Sequence, residues 1–248
     1  MSDGTSPLRI AMWSGPRNIS TALLRSWENR PDTIVCDEPL YAHYLDGTQR
    51  AHPGAAEIIA HHERDWRRVV AWLTGPLPPG KTIFYQKQMA HHLLPIIERD
   101  WLDQVTNCFL IREPRRMLVS LDKVFANPEL PDTGLPQQVE IFRRVREHTG
   151  QVPPVIDAAD VLADPRGVLS RLCAALGVEF CDAMLRWPPG IRSTDGIWAR
   201  HWYAEVEKST GFHAPPPPDD RPIPPHLERL VDDCQRLYEE LAAHKITV

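Results

Sequence analysis

A strand, a tight loop and a helix follow one another near the start of the sequence. The apolar run LRIAMW (8–13) predicts a buried strand, SGPRNIST (14–21) a loop, and ALLRSWENR (22–30) a helix. Backbone N–H groups at the N-terminus of a helix attract anions, and Ser20 and Thr21 would add two hydroxyl groups. The stretch therefore predicts a phosphate-binding loop. The alternative is an ordinary strand–helix turn in which Ser20 caps the helix.

The loop lacks the lysine of ATP- and GTP-binding loops. A Walker-type loop reads GxxxxGK[ST], with the lysine immediately before the hydroxyl residue. Here Ile19 precedes Ser20, and the only cation of the loop is Arg17, whose guanidinium can hold two oxygens of one anion. This composition disfavours a nucleotide kinase or NTPase, which would also need a Mg²⁺-binding carboxylate after an apolar strand.

Strands and helices alternate along the rest of the chain. Further strands are expected at 33–38, 81–87, 105–112 and 153–162, and helices at 55–75, 92–101, 114–126, 164–177 and from about 226 onwards. The alternation predicts an α/β fold, a three-layer sandwich with a mostly parallel central sheet. Ligands of such sheets bind beyond the carboxyl ends of the strands, a rule that brings 14–21, 36–38, Lys87 and Arg112 to one rim.

Composition narrows the class of protein. A chain of 248 residues predicts a single domain over 1–248, with a proline-rich connector at 213–225 and a C-terminal helix at 226–245. The net charge of −5 argues against a nucleic-acid partner. The absence of a signal-peptide pattern and of a run of about 20 apolar residues argues against a membrane partner. Together with five dispersed cysteines, these features predict a cytoplasmic protein.

A second motif stands in LIREPRRMLVSL (110–121), where Arg112 ends a strand and Ser120 follows eight residues later on a helix. With PRNIST (16–21), this motif resembles the sulfotransferases that use 3′-phosphoadenosine 5′-phosphosulfate (PAPS). Bacterial and tyrosyl-protein members of that family carry a first loop like PRSGTT. Their strand-end arginine and the later serine hold the 3′-phosphate of the donor. The resemblance implies the P-loop NTPase-like sulfotransferase fold.

The likeness extends over about 8–203. The segment 155–180 looks like the strand, acidic turn and helix that follow the second motif in the family. The segment 191–203 is similar to a late basic loop over the nucleotide, which implies donor contacts from Arg192. Trp198 would stack on the adenine ring, with packing in the core as the alternative.

The resemblance also implies a donor site. In this chain, Arg112 and Ser120 would hold the 3′-phosphate, and the first loop would hold the 5′-phosphosulfate. The loop residues concerned are Gly15, Pro16, Arg17, Asn18, Ile19, Ser20 and Thr21. The family usually has glycine where this chain has Ile19, so a tighter or different backbone path is expected there.

The general base is expected to be a glutamate. Small-molecule sulfotransferases place a histidine two residues after a strand-end lysine, but Lys87 is followed here by glutamine and then Met89. The tyrosyl-protein branch uses a glutamate after the second strand, and RPDTIVCDEPLY (30–41) resembles that stretch. Glu38 is therefore the expected base, with His91 as the alternative.

Two further roles and one orientation are expected around this base. Lys87 would assist at the sulfuryl oxygens, and Arg17 would stabilise charge on the leaving oxygen. Because neighbouring residues of a strand point to opposite faces, Asp37 is expected to point away from Glu38.

These expectations predict an enzyme that transfers a sulfuryl group from PAPS in line and without a metal ion. The acceptor would be a hydroxyl or amine of a small molecule or peptide, and the product 3′,5′-adenosine bisphosphate would remain. The loops 41–54 and 127–136 are expected to line the acceptor pocket. The alternatives are a nucleotide kinase or NTPase, and a non-catalytic nucleotide-binding module of the same fold.

Overall fold

The computed structural model describes residues 7–125, 127–214 and 222–248. Its strands are β1 (Leu8–Ser14), β2 (Thr33–Asp37), β3 (Ile83–Met89), β4 (Thr106–Ile111) and β5 (Val155–Asp157). Its α-helices are α1 (Ser20–Glu28), α2 (Tyr41–Thr48), α3 (Ala55–His61), α4 (Trp66–Leu73), α5 (Pro114–Leu121), α6 (Leu135–Thr149), α7 (Ala158–Ala163), α8 (Pro165–Ala175), α9 (Ala199–Trp202), α10 (Ala204–Lys208) and α11 (Glu228–Ala242). Short 3₁₀ helices lie at Ala90–His92, Asp100–Gln104, Leu130–Thr133, Asp182–Leu185 and Pro225–Leu227.

The five strands form one parallel sheet in the order β2-β3-β1-β4-β5. The register sets Lys87 of β3 beside Met12 on one side and beside Asp37 on the other. Because all strands run the same way, their carboxyl ends meet at one edge, where the loops after β1 to β4 come together. The predicted α/β class with a mostly parallel sheet is confirmed.

Helices cover both faces of the sheet. Alternate residues of β1 enter different cores, since Ile10 and Met12 pack with α1 and α8, whereas Ala11 and Trp13 pack with α5, α6 and α11. All four side chains are fully buried. This arrangement explains why residues 10–13 of β1 are continuously apolar and do not alternate with polar residues. The predicted three-layer sandwich is confirmed.

A third, smaller core lies beyond the sheet edge. It joins α2 and α3 to the late segment around α9, through Tyr41, Tyr44, Trp198 and Tyr203. This cluster brings the late segment of the chain over the carboxyl ends of β2 and β3. It is the reason that residues more than one hundred positions apart in sequence share one site.

Several predicted elements differ from the structure. The helix expected at 55–75 is two helices, because Asp65 caps α4 by accepting a hydrogen bond from the Arg67 N–H at 2.9 Å. The helix expected at 92–101 is absent from that fully described stretch, where Pro95 removes a backbone donor. The helix expected at 114–126 ends at Leu121. The sequence analysis placed no helix at α6.

The end of the chain follows the expectation in part. The last helix is α11, and its buried stripe contains Val231, Cys234 and Leu241. The connector expected at 213–225 lies largely outside the described residues. Over the described part of the chain, every helix is too short or too polar to cross a membrane.

Candidate active site

A cavity of about 330 Å³ opens at the carboxyl ends of the strands. Its floor is the loop after β1 and the first turn of α1, and its sides come from the ends of β2, β3 and β4. The predicted site residues that border it are Pro16, Arg17, Asn18, Ile19, Ser20, Thr21, Glu38, Lys87, His91 and Arg112. The rim predicted from the alternation of strands and helices is therefore a real surface of one cavity.

The first loop presents an open helix N-terminus. Helix α1 begins at Ser20, and the residue before it, Ile19, has no side chain that caps the helix. The alternative prediction, an ordinary turn in which Ser20 caps the helix, is therefore wrong. Asn18 holds the loop, since its side chain accepts from the Ile19 N–H at 2.9 Å and donates to the Leu110 carbonyl at 3.2 Å. The N–H groups of the first turn remain available for an anion.

Gly15 is needed for packing and does not border the cavity. A Cβ atom there would lie 2.3 Å from the Thr133 carbonyl oxygen, which is shorter than any real contact. The segment Leu130–Thr133 therefore presses directly on the first loop. Only glycine lets the two backbones approach so closely.

Two arginines meet at the donor end of the cavity. Arg17 has a left-handed backbone with φ 55°, and its Nε donates to the Ser120 hydroxyl at 3.0 Å. Arg112 donates to the Arg17 carbonyl. Burial and then the positive charge of Arg17 lower the pKa of Arg112. The motif residues Arg17, Arg112 and Ser120 thus form one group.

Neither arginine has a counterion within the part of the chain that the structure describes. The ion pairs found there include no carboxylate within 4.0 Å of the Arg17 or Arg112 guanidinium. Two neighbouring positive charges without a negative partner repel each other, and a bound anion would relieve this repulsion.

A buried ion cluster forms the opposite end of the cavity. The Lys87 ammonium lies 2.8 Å from Asp37 Oδ1, 2.6 Å from Glu38 Oε1 and 2.6 Å from the Tyr203 hydroxyl. An ammonium has three N–H donors, so each finds a partner here. Burial disfavours the charged form, but the charges of Asp37 and Glu38 outweigh it and hold the pKa of Lys87 well above its usual value. We call these four residues the lysine cluster.

Asp37 and Glu38 contact the same ammonium, so the expected opposite orientation of these two side chains is wrong. The alternation of side chains holds only within a strand, and β2 ends at Asp37. Glu38 adopts a left-handed backbone with φ 44°, which turns its side chain back toward Lys87. A non-glycine residue in this conformation is uncommon, because the Cβ atom crowds the backbone there.

The two candidate bases have different acidities. Burial raises the pKa of the Glu38 carboxyl, and the charge of Lys87 opposes part of this rise. Burial lowers the pKa of His91 to about 3, so its ring is a weak base. One Glu38 oxygen, Oε1, accepts from Lys87, and the described residues offer no hydrogen bond to the other.

The late-loop residues assigned to the nucleotide lie outside this cavity. Arg192 pairs with Glu28 at the far end of α1, with 3.1 Å between Nη1 and Oε2. Trp198 is 2% exposed, contacts the ring of Tyr41 edge-on, and donates to the Tyr203 hydroxyl at 3.3 Å. Packing in the core, the alternative for Trp198, describes its place in the structure.

The side chains opposite the loop share aromatic or imidazole rings, and they are Tyr41, Tyr44, His52, His92, Phe125, Trp202 and Tyr203. Of these, His92, Phe125, Trp202 and Tyr203 were not among the expected site residues. The expected acceptor loops supply Tyr41, Tyr44 and His52 from 41–54 and Asp132 from 127–136. Burial lowers the pKa of His52 and of His92, which favours the neutral form of these two imidazoles.

Known proteins resemble this chain along nearly its whole length. The family model described as sulfotransferase domain matches residues 8–235. The Arabidopsis thaliana proteins named branched-chain-amino-acid aminotransferase-like protein 2 and protein 1 are 33% and 34% identical over 237 and 241 residues. Those matches cover 95% and 96% of this chain but 41% and 42% of the relatives, so the chain spans less than half of their length.

A solved structure shares the fold. The sulfotransferase from Alicyclobacillus acidocaldarius superposes with a TM-score of 0.54 at 15% sequence identity, and the match covers 98% of each chain. At this identity the likeness speaks for the fold alone. The family match covers both the first loop with Arg17 and the second motif with Arg112. On the extent of that match, the chain belongs to the sulfotransferase family.

Proposed function

We propose that this chain transfers a sulfuryl group from PAPS to a hydroxyl or amine acceptor, in line and without a metal ion. The observation that carries the proposal is the pair of arginines, Arg17 and Arg112, beside the open N-terminus of α1, for which the described residues offer no carboxylate partner. The same cavity contains Glu38 at its other end. An anion site and a carboxylate base on one cavity are the parts that such a transfer needs.

The donor end fits a molecule with two phosphate-type groups. The first-turn N–H groups of α1, the hydroxyls of Ser20 and Thr21, and Arg17 would hold the phosphosulfate. Arg112 and Ser120 would hold the 3′-phosphate. In the structure Arg17 contacts Ser120 directly, so the bound donor would replace that contact with its own oxygens.

The end of the cavity that would bind the acceptor substrate also contains the general base, Glu38. PAPS, when bound, supplies the sulfuryl group, and 3′,5′-adenosine bisphosphate is the group that leaves. Glu38 takes the proton from the acceptor oxygen or nitrogen while that atom attacks sulfur. Arg17 stabilises the negative charge that gathers on the leaving phosphate oxygen. Fixed cations serve here because the transferred group carries little charge.

Glu38 is a better base than His91 on two grounds. A general base works best when its pKa lies near the working pH, and burial moves the Glu38 pKa upward toward neutrality. The pKa of His91, at about 3, moves the other way. The ring of His91 also packs edge-on against Tyr44, which suits it to the wall of the acceptor pocket.

The kinase alternative fits this cavity less well. Among the described residues, Lys87 is the one lysine that borders it, and its three N–H donors are directed at protein partners. In a kinase, a lysine and Mg²⁺ neutralise the charge of the transferred phosphoryl group. A non-catalytic nucleotide-binding module would need the donor end but not the buried base, so the lysine cluster favours an enzyme.

Ligand binding and transfer test the proposal together. Unfolding temperature is measured against 3′,5′-adenosine bisphosphate, 5′-AMP and ATP–Mg²⁺, and sulfate transfer from labelled PAPS is measured with a panel of hydroxyl and amine acceptors. A ligand at about 100 times its dissociation constant stabilises the folded state by about 2.7 kcal/mol. We expect the bisphosphate to stabilise most and label to appear on an acceptor. Stronger stabilisation and turnover with ATP–Mg²⁺ would contradict the proposal, and binding without any transfer would indicate the non-catalytic module.

A further inference from the structure

The hydroxyl of Tyr203 lies at the centre of the lysine cluster. It is 2.6 Å from Lys87 Nζ, and 2.7 and 2.9 Å from the two oxygens of Asp37. It also lies 3.4 Å from Glu38 Oε1, and its ring is 6% exposed. Tyr203 is the last residue of the segment 191–203 but was not among the expected site residues, and it lies at the junction of α9 and α10.

The hydrogen-bonding capacity of this hydroxyl is fully used. A phenol offers one donor and two acceptor lone pairs. The donor serves Asp37, and the lone pairs accept from Lys87 and from Trp198 Nε1 at 3.3 Å. The phenol is therefore fixed in orientation, and it cannot shuttle a proton without the loss of one of these bonds.

The partners of the two carboxylates differ. Asp37 Oδ1 accepts from Lys87, and Oδ2 accepts from the Gly196 N–H at 3.3 Å. The one O–H proton of Tyr203 is directed at Asp37, whose two oxygens lie 2.9 and 2.7 Å away. Glu38 Oε1 accepts from Lys87 and lies 3.4 Å from the Tyr203 oxygen. Two carboxylates and one ammonium leave one surplus negative charge in the cluster, and the Glu38 carboxylate has fewer hydrogen-bond donors than Asp37 to stabilise it.

We propose that Tyr203 is a positioning residue, whose hydroxyl binds Lys87 and Asp37 to each other so that Glu38 keeps one oxygen free for the proton of the acceptor. This inference rests on the proposed function, in which Glu38 is the base. Tyr203 acts through Glu38 and does not touch the reacting atoms. Without the hydroxyl, the Lys87 ammonium would lose one of its three acceptors, and Asp37 would lose the donor that holds it beside Lys87.

Burial and three neighbouring groups determine the proton affinity of Glu38. Burial raises the pKa of Glu38, the charge of Lys87 on β3 lowers it, the charge of Asp37 on β2 raises it, and the Tyr203 hydroxyl lowers it. Tyr41, on the helix that follows, lies close enough for its own pKa to be raised by burial and by Glu38. Loss of the Tyr203 hydroxyl and loss of the Asp37 charge should therefore move the pKa of Glu38 in opposite directions.

The test is the variant Tyr203→Phe, assayed for transfer across pH. We expect kcat to fall roughly 10- to 100-fold, the size expected for a lost hydrogen bond to charged groups. The acidic limb of kcat/KM should move to higher pH, while the dissociation constant for 3′,5′-adenosine bisphosphate stays the same. A merely structural role would change neither the limb nor kcat selectively.

Tyr238→Phe is the matched control. Tyr238 also donates to a carboxylate, Asp157 Oδ2 at 2.7 Å, but it does not border the cavity. Its removal should leave kcat and the pH profile unchanged. If Tyr203→Phe gives the same rate and pH profile as Tyr238→Phe, the inference is wrong.

A second variant, Asp37→Asn, tests the same cluster if Tyr203→Phe does not fold. Asp37→Asn keeps the shape of the side chain and removes its charge, so the acidic limb should move to lower pH. An unmoved limb in this variant would overturn the inference as well.

A direct titration separates the inference from the proposed function. NMR titration measures the pKa of the Glu38 carboxyl directly in the wild type, Tyr203→Phe and Asp37→Asn, in protein without PAPS or an acceptor substrate. The pKa should rise in Tyr203→Phe and fall in Asp37→Asn. If the wild type transfers no sulfate but the shifts appear, the proposed function fails and the positioning by Tyr203 stands. If transfer is found but the Glu38 pKa is the same in all three proteins, the positioning fails and the proposed function stands.

Discussion

The two ends of the cavity treat charge in opposite ways. At the donor end, Arg17 and Arg112 lie together without a carboxylate partner among the described residues. Burial and then the positive charge of Arg17 lower the pKa of Arg112. In the lysine cluster, every N–H of the Lys87 ammonium is directed at an acceptor. One end is incomplete without an incoming anion, and the other is complete in itself.

This difference assigns the two ends different tasks. A site with uncompensated cations gains most from binding a charged ligand, so under the proposed function we expect it to control donor affinity. A closed cluster gains little from a ligand, but it can fix the proton affinity of one member, so we expect it to control the rate of transfer. Variants at the two ends should therefore separate binding from turnover.

The largest effect is expected for Glu38→Gln. Loss of a general base typically lowers the rate about 10²- to 10⁴-fold, and we expect kcat to fall within that range. Affinity for 3′,5′-adenosine bisphosphate should not change, because the donor end stays intact. Steady-state kinetics and a thermal-shift titration measure the two quantities.

His91→Gln is the control for this prediction. The pKa of His91 is about 3, so we expect a fall in kcat of less than roughly tenfold. Equal losses in the two variants would mean that Glu38 is not the base.

Arg17→Ala should produce the next largest effect. Removal of one donor that stabilises developing charge costs about 2.7–4 kcal/mol in the transition state, or roughly a 100- to 1,000-fold loss of kcat. The unfolding temperature should hardly change. Arg143→Ala removes an exposed guanidinium that pairs with Glu240 at 2.6 and 2.7 Å, and it should behave like the wild type. A full rate in Arg17→Ala would remove this residue from the site.

Arg112→Gln should change selectivity more than rate. If Arg112 holds the 3′-phosphate, affinity for 3′,5′-adenosine bisphosphate should fall roughly tenfold or more, while affinity for 5′-AMP stays the same. Isothermal titration with both nucleotides measures this. An equal loss of affinity for both nucleotides would indicate that Arg112 contacts the 5′-phosphate and would contradict the proposed donor site.

The smallest effect is the pH dependence of stability at the lysine cluster. Burial gives Glu38 a higher pKa in the folded state than in the unfolded state. Its contribution to stability is therefore full below the unfolded pKa and is lost as pH rises through the folded pKa. Relative to the wild type, Glu38→Gln should be more stable at pH 8 than at pH 4, as measured by urea unfolding. The reverse order would show that Lys87 controls the pKa of Glu38 more than burial does.

The donor end could be predicted from the sequence because its parts are local. The loop with Arg17, the helix start at Ser20, and the spacing from Arg112 to Ser120 are each contained in a short motif. Strand order then brings the two motifs together, because β1 and β4 are neighbours in the parallel sheet. The roles given to these residues stay predictions. That the two motifs lie close together, however, can be predicted from the strand order without knowledge of distant side-chain contacts.

The lysine cluster could be predicted only in part, since it depends on tertiary contacts. Tyr203 reaches Asp37 across 166 positions through the packing of the third core, and no periodic pattern encodes this contact. The contact of Asp37 and Glu38 with the same Lys87 ammonium was missed for a different reason. The left-handed turn at Glu38 breaks the rule of alternating side chains at the end of β2.

The register of the sheet has a consequence for the folding of active protein. Lys87 faces Asp37 because β2 and β3 pair at that step of the ladder, and the ladder is part of the core. A shift of β3 by one residue would send Lys87 to the opposite face and leave Asp37 and Glu38 without their cation. Correct strand alignment and an assembled proton acceptor are thus the same event, so a misaligned chain could keep its helices and still be inert. In refolding experiments, recovery of turnover should report alignment of the sheet more faithfully than recovery of helical content does.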